Sequence, residues 1–215
     1  MAGNYTLAGS AISGGSVAIS GTRRPGGSVI ENATGITVSD PTADVAAHRT
    51  KNDNARIPCI TKGNKCTSPV VNGVLTLASQ QRITLPAGNY YFTGISISGQ
   101  AQLEASGNVV VWLEGRATYN GGSGCHATND TLTLISSSTS EVKINGGSTA
   151  AIKIYAPFAT VRFAGTTGFR GSALGKQLVI SGTAELEAVA DVAGGGGYVG
   201  CPADGPSDIP PHGGQ

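Results

Sequence analysis

Charge is scarce in this chain: only 13% of its 215 residues are Asp, Glu, Lys or Arg, and the net charge is +1. A balance so close to zero gives no electrostatic footprint for nucleic acid or an anionic membrane. Aromatic residues make up 5%, with one tryptophan and one methionine, so any core rests mainly on Val, Ile and Leu. No apolar run approaches the ~20 residues that a membrane span needs. Helix signals are nearly absent. One candidate covers residues 41–48, with Asp40 as N-cap and Pro41 at the first helical position. No export signal is read at the start, since Met1 leads straight into strand-like sequence. Four cysteines in a chain this polar suit an oxidising compartment. The expected location is therefore extracellular or cell-surface, for a trimmed export product.

What the chain does have is glycine, 33 of them, roughly twice the usual share. It also has a recurrent strand pattern. Residues 95–105 read Ile-Ser-Ile-Ser-Gly-Gln-Ala-Gln-Leu-Glu-Ala, and residues 178–188 return as Leu-Val-Ile-Ser-Gly-Thr-Ala-Glu-Leu-Glu-Ala. Echoes of the first half end at Gly21, Gly115, Gly146 and Gly165. Alternating apolar residues closed by glycine mark a short strand with one buried face and a tight corner. The regular Val/Ile/Leu alternation argues against a disordered low-complexity chain. From Gly99 to Gly182 the glycines predict a coil about every 16–19 residues, with an extra strand around Thr131 and Thr133 in one longer step. A strand-rich unit that short cannot bury its own apolar face and must stack on its neighbours. The expected fold is all-β, a right-handed parallel β-helix.

Four segments follow. Residues 1–40 hold N-terminal strands that form a first coil or a cap. Residues 41–70 hold the short helix, expected to shield the open edges of the first coil, and a cysteine-containing loop. Residues 71–192 form the solenoid, and 193–215 a Gly/Pro-rich tail, extended unless Cys201 ties it down. Cys59 and Cys66 are spaced for a small disulfide-closed loop, with free thiols as the alternative; a metal site would need two more close ligands. Cys125 and Cys201 are the other disulfide candidates, and four cysteines allow three pairings.

Residues 85–92, Leu-Pro-Ala-Gly-Asn-Tyr-Tyr-Phe, precede the Ile-Ser-Ile-Ser-Gly run. Residues 151–159, Ala-Ile-Lys-Ile-Tyr-Ala-Pro-Phe-Ala, precede Gly171-Ser172-Ala173-Leu174-Gly175-Lys176. Together they resemble the "LPPGTYYF…ISISGNA" opening and "IYAPNA…GSIVGK" close of a β-helix domain family of unknown function. That family occurs in exported bacterial proteins, often joined to segments like those of type IV or tight-adherence pilus assembly proteins. The resemblance spans about residues 71–192 and departs from the pattern at Phe158. It implies a right-handed parallel β-helix with a structural or adhesive role, and it supplies no catalytic residues. Partners expected on this basis are pilus or envelope proteins, a surface glycan, or further copies stacked end to end.

Parallel β-helices also carry polysaccharide lyases and hydrolases, whose chemistry needs clustered carboxylates or calcium-binding carboxylates beside a base. The acids available are Glu104, Glu114, Asp130, Glu141, Glu185 and Glu187. Glu104 and Glu187 occupy equivalent repeat positions several coils apart, and the expected role of all six is outward-facing and solvated. Cys125-His126 suggests a nucleophile pair, but neighbours on a strand point to opposite faces and no orienting acid is identifiable. His48 and His212 fall in a loop-like region and in the tail. Lys51, Arg56, Lys62 and Lys65 make a basic patch without interleaved aromatics. Tyr90 and Tyr91 are expected as one core and one exposed residue, and Trp112 stands alone. An ice-binding ladder would need threonine at one place in many coils, whereas Thr76, Thr131 and Thr133 do not recur. The expectation is no catalytic residue, no cofactor and no metal: a non-enzymatic surface module, with a carbohydrate-binding or carbohydrate-active β-helix as the alternative.

Overall fold

A computed structural model describes residues 3–12, 17–23, 27–30, 38–125, 130–145, 149–165, 168–182 and 185–188. Three strands come first: β1 (Gly3–Ile12), β2 (Val17–Arg23) and β3 (Gly27–Ile30). Helix α1 (Thr42–His48) follows, then the hairpin β4 (Ile60–Lys62) and β5 (Lys65–Thr67), and the two-residue β6 (Val70–Val71). The winding part comprises β7 (Val74–Leu77), β8 (Arg82–Phe92), β9 (Gly94–Ile97), β10 (Gln102–Leu113), β11 (Ala117–Tyr119), β12 (Gly122–Cys125) and β13 (Thr131–Ser136). It ends with β14 (Val142–Asn145), β15 (Thr149–Gly165), β16 (Gly168–Gly182) and β17 (Glu185–Ala188). These strands pair in parallel, coil on coil, as a β-solenoid of about five turns.

Alternation explains why these residues wind. On the first face, Leu75, Ile95, Ala117, Val142, Val161 and Leu178 lie one above another, all buried. Two residues on, Leu77, Ile97, Tyr119, Ile144, Phe163 and Ile180 form a second inner row. Each large side chain in such a row contributes roughly 1.5–3 kcal/mol by leaving water. The second face stacks the first halves of β8 and β10 with β12, the start of β15, the start of β16, and β17. The third stacks the second halves of β8 and β10 with β13 and the middle of β15 and β16. Phe163 and Phe169 meet across the core at 4.7 Å between ring centroids.

The register corrects the coil length. From Leu75 through Ile95, Ala117, Val142 and Val161 to Leu178 the steps are 20, 22, 25, 19 and 17 residues, not a uniform 16–19. Gly115 follows the third-face strand segment that ends at Leu113, so it is not the partner of Gly99. Two residues past Tyr119, the place Gly99 takes after Ile97, stands Gly121, set beside Ala101, where a Cβ would sit 2.3 Å from the Ala101 carbonyl oxygen. In the first coil that place falls to Ser79, which holds φ at +60° without being glycine. Pro157 stands at a corner as expected, inside a register shift between Ala156 and Thr160.

The first strands do not begin the stack. β2 pairs with the last coil, Leu178 with Val17 and Ile180 with Ile19, and β1 pairs with β17, Leu7 with Leu186. The segment read as a first coil therefore extends the opposite end. Helix α1 packs along the third face, against β8, β10 and β13, rather than over the end of the first coil. Asp40 sits two residues before it and accepts from the Thr42 N–H at 2.8 Å. Hydrogen bonds from the Thr42 side chain and backbone hold its carboxyl below the usual range.

Ser79→Gly relieves a left-handed strain of about 1 kcal/mol and raises the urea midpoint, whereas Gly121→Ala costs about 3 kcal/mol through overpacking and lowers it. Tyr119 buries a hydroxyl that has no partner, and burial pushes its pKa well above the ordinary value. Above about pH 10 the unfolded chain sheds a proton that the folded chain keeps, so stability falls as pH rises. Tyr119→Phe should gain about 1 kcal/mol at neutral pH and flatten that alkaline loss in a pH series of thermal melts.

Candidate functional site

The four acids whose side chains are described, Glu104, Glu114, Asp130 and Glu141, separate rather than converge. Glu104 faces out from the second face, where Arg82 lies at 3.3 Å and the Thr84 hydroxyl donates to it at 3.1 Å. Its row climbs through Gly124 and Ala151 to Arg170 and Glu187, four rungs away. At ~4.8 Å per rung that is roughly 19 Å. Glu114 stands at a corner and accepts from Tyr91 and Arg49. Glu141 pairs with Arg162 at 2.5 Å, and buried Asp130 accepts from the Gly107 N–H at 2.6 Å. Glu185 and Glu187 lie two apart on β17, and their side chains fall outside the described residues. Among the described residues no three of His, Cys, Asp and Glu converge as a metal would require.

Among the described residues a polar and aromatic cluster gathers on the third face. Tyr91, Trp112, Ile135, Tyr155 and Leu174 form one outward row, rung on rung. Residues 38–57 run down this row as a strap. The Tyr155 hydroxyl donates to the Ser39 carbonyl at 2.6 Å, and Val45 is buried. His48 stacks on Trp112 with 4.0 Å between centroids and 9° between planes. The indole N–H donates to Asn89 Oδ1 at 3.1 Å. Arg49 and Tyr91 meet on Glu114, and Asn52 closes the helix by donating to the carbonyls of His48 and Arg49. Trp112 is thus not alone. Tyr90 and Tyr91, expected as one core and one exposed residue, are both buried, Tyr91 beneath the strap. The row steps by 21, 23, 20 and 19 residues, a spacing visible only once coil lengths are known.

The strap ends by closing the free edge of the first coil. Asp53 donates its N–H to the Asn89 carbonyl at 2.6 Å and accepts the Asn89 N–H on Oδ2 at 2.8 Å. Asn54 repeats this at Tyr91 with its amide, accepting at 3.0 Å and donating at 2.7 Å. Arg56 donates to the Ala87 carbonyl at 2.9 Å, and β6 pairs antiparallel with β7. The shielding role expected of the helix belongs to the residues just after it.

Beside this cap projects the hairpin β4–β5, bridged by Cys59–Cys66 with a Cα–Cα distance of 5.5 Å. Lys62 and Lys65 oppose each other at its turn, Arg56 is held by Asp53 and Ala87, and Lys51 is exposed. Cys125 takes the strand position in register with buried Ala105. Its side chain, His126, Cys201, His212 and the tail lie outside the described residues. Thr76 continues into Ser96 and Thr118 on the first face, then into Lys143 and Arg162, whereas Thr131 and Thr133 belong to the third.

Asn54→Ala should leave the Tyr91 N–H and carbonyl unmatched, costing about 1–3 kcal/mol in urea unfolding. Light scattering should then show concentration-dependent association through the exposed edge; an unchanged midpoint would mean the strap does not close it. Comparison with protein-family models, curated proteins and solved structures found no match to this chain.

Proposed function

We propose that this protein is a non-enzymatic structural or adhesive module of a bacterial surface or pilus-like assembly, working outside the cytoplasm. The observation that carries this reading is the use made of its polar groups. Each described carboxylate among the six candidates is engaged within the chain, by a cation, a hydroxyl or a backbone N–H. The fold is a ladder of parallel strands fastened along one side and capped at its base on the first and third faces. A disulfide beside that base suits an oxidising environment. End-to-end self-association through the base meets edge groups already bonded within the chain on its first and third faces.

A carbohydrate-binding reading has one observation in its favour, the outward row of Tyr91, Trp112 and Tyr155. The strap occupies that row, which ranks this reading second. Incubation with a panel of bacterial and plant polysaccharides decides between the classes. The proposal expects no release of reducing ends, with saturable binding to cell-surface material. Turnover of any glycan, lost on Glu104→Gln, would overturn it.

A further inference from the structure

The chain's first strands and its last coil lie side by side, and the match between them is a sequence match. Val17-Ala18-Ile19-Ser20-Gly21 repeats the pattern of Leu178-Val179-Ile180-Ser181-Gly182. The two pair rung on rung, from Leu178 with Val17 to Ser181 with Ser20. β1 does the same on the second face, where Thr6, Leu7 and Ala8 pair with Glu185, Leu186 and Glu187. The edge of the last coil thus selects an apolar-x-apolar strand running parallel to it, and residues 3–23 supply that strand.

We propose that this edge, residues 178–181 and 185–188, is a strand-accepting site, and that a second copy of the chain fills it with its own β1 and β2. The inference rests on the structural-assembly reading above and names its partner. Among the described residues β1, β2 and β3 pair by backbone with one another and with β16 and β17 alone. The next described segment, residues 38–57, is fastened separately to the third face through Tyr155, Trp112, Glu114 and the edge of β8. The strand unit and the strap are therefore held by different parts of the body and joined through residues 31–37. Seven residues span at most roughly 25 Å, about five rungs, so an acceptor must stand directly over the donor's own last coil. Donor strands and acceptor edge lie at the same end of the stack, and at the opposite end residues 53–71 cap the first and third faces. Reciprocal exchange accordingly closes a two-fold, top-to-top dimer and stops there; an open fibre would need donor and acceptor at opposite ends.

The tether fixes when exchange occurs. A short connection gives the chain's own strands an effective concentration in the millimolar range. The self-filled monomer therefore prevails in dilute solution, and the dimer forms where the protein is crowded, as on a surface array.

Ser20→Cys and Ser181→Cys, two near-isosteric changes at paired positions, provide the test. The single variants are mixed in denaturant with reductant, then refolded and oxidised at concentrations from about 10 µM to about 1 mM. Peptide mapping by mass spectrometry then distinguishes a 20–181 bridge from bridges among the native cysteines. The proposal expects that bridge between two chains, its yield rising roughly ten-fold with each ten-fold in concentration across the dilute range, and a species of two chains by light scattering. The double variant should bridge within one chain when dilute, which shows that both changes fold. A double variant that bridges internally while the mixed singles never do would overturn exchange, and so would a double variant that forms no bridge. Growing filaments would overturn the two-fold closure. A monomer that degrades a glycan would defeat the structural reading whatever the bridging result.

Discussion

Parallel backbone pairing, rung on rung at ~4.8 Å, is the constraint on which everything else in this molecule depends. Such a ladder satisfies its own N–H and carbonyl groups only in the middle, and each end offers a row of unpaired ones. The inner rows keep the ladder continuous because each coil repeats its apolar positions, from Leu75 to Leu178 and from Leu77 to Ile180. The non-repeating segments then act on the ladder rather than extend it in sequence order. Asp53, Asn54 and β6 cap the base on the first and third faces. β1 and β2 cover the last coil. The strap ties coils together along one side, from Tyr155 down to Tyr91.

What could be read in the sequence follows the range of the physics behind it. In-and-out alternation is local, so the strands and the parallel stack were legible, and so was the Cys59–Cys66 bridge across a short loop. Coil length was legible only in part. Gly115 matches the motif in its own strand, but that strand lies on the third face, and the corner after Tyr119 holds Gly121 against the Ala101 carbonyl of the coil below. Ser79 was invisible for the opposite reason, since a serine at a left-handed corner carries no sign of its conformation.

Long-range features were out of reach. Val17 finds Leu178 at the far end of the sequence, and several internal strands share the same pattern, so local sequence gives no preference among them. The outward row of Tyr91, Trp112 and Tyr155 has the same origin: its members are scattered in sequence and align only when three coil lengths are correct. Reading Trp112 as solitary was the natural consequence. The dispersal of Glu104 and Glu187 was legible, because equivalent positions in separated repeats must lie separated rungs apart.

Hydrogen exchange at single-residue resolution tests the central claim most directly, through the amides of Thr76, Asn89 and Tyr91 at the base. Each donates to a capping group, the Pro69 carbonyl, Asp53 Oδ2 and Asn54 Oδ1 respectively. A ladder closed by its own chain predicts protection at these three comparable with that of interior strand amides such as Val111. Exchange at the rate of a free strand edge would contradict it, leaving the base an open end available for stacking.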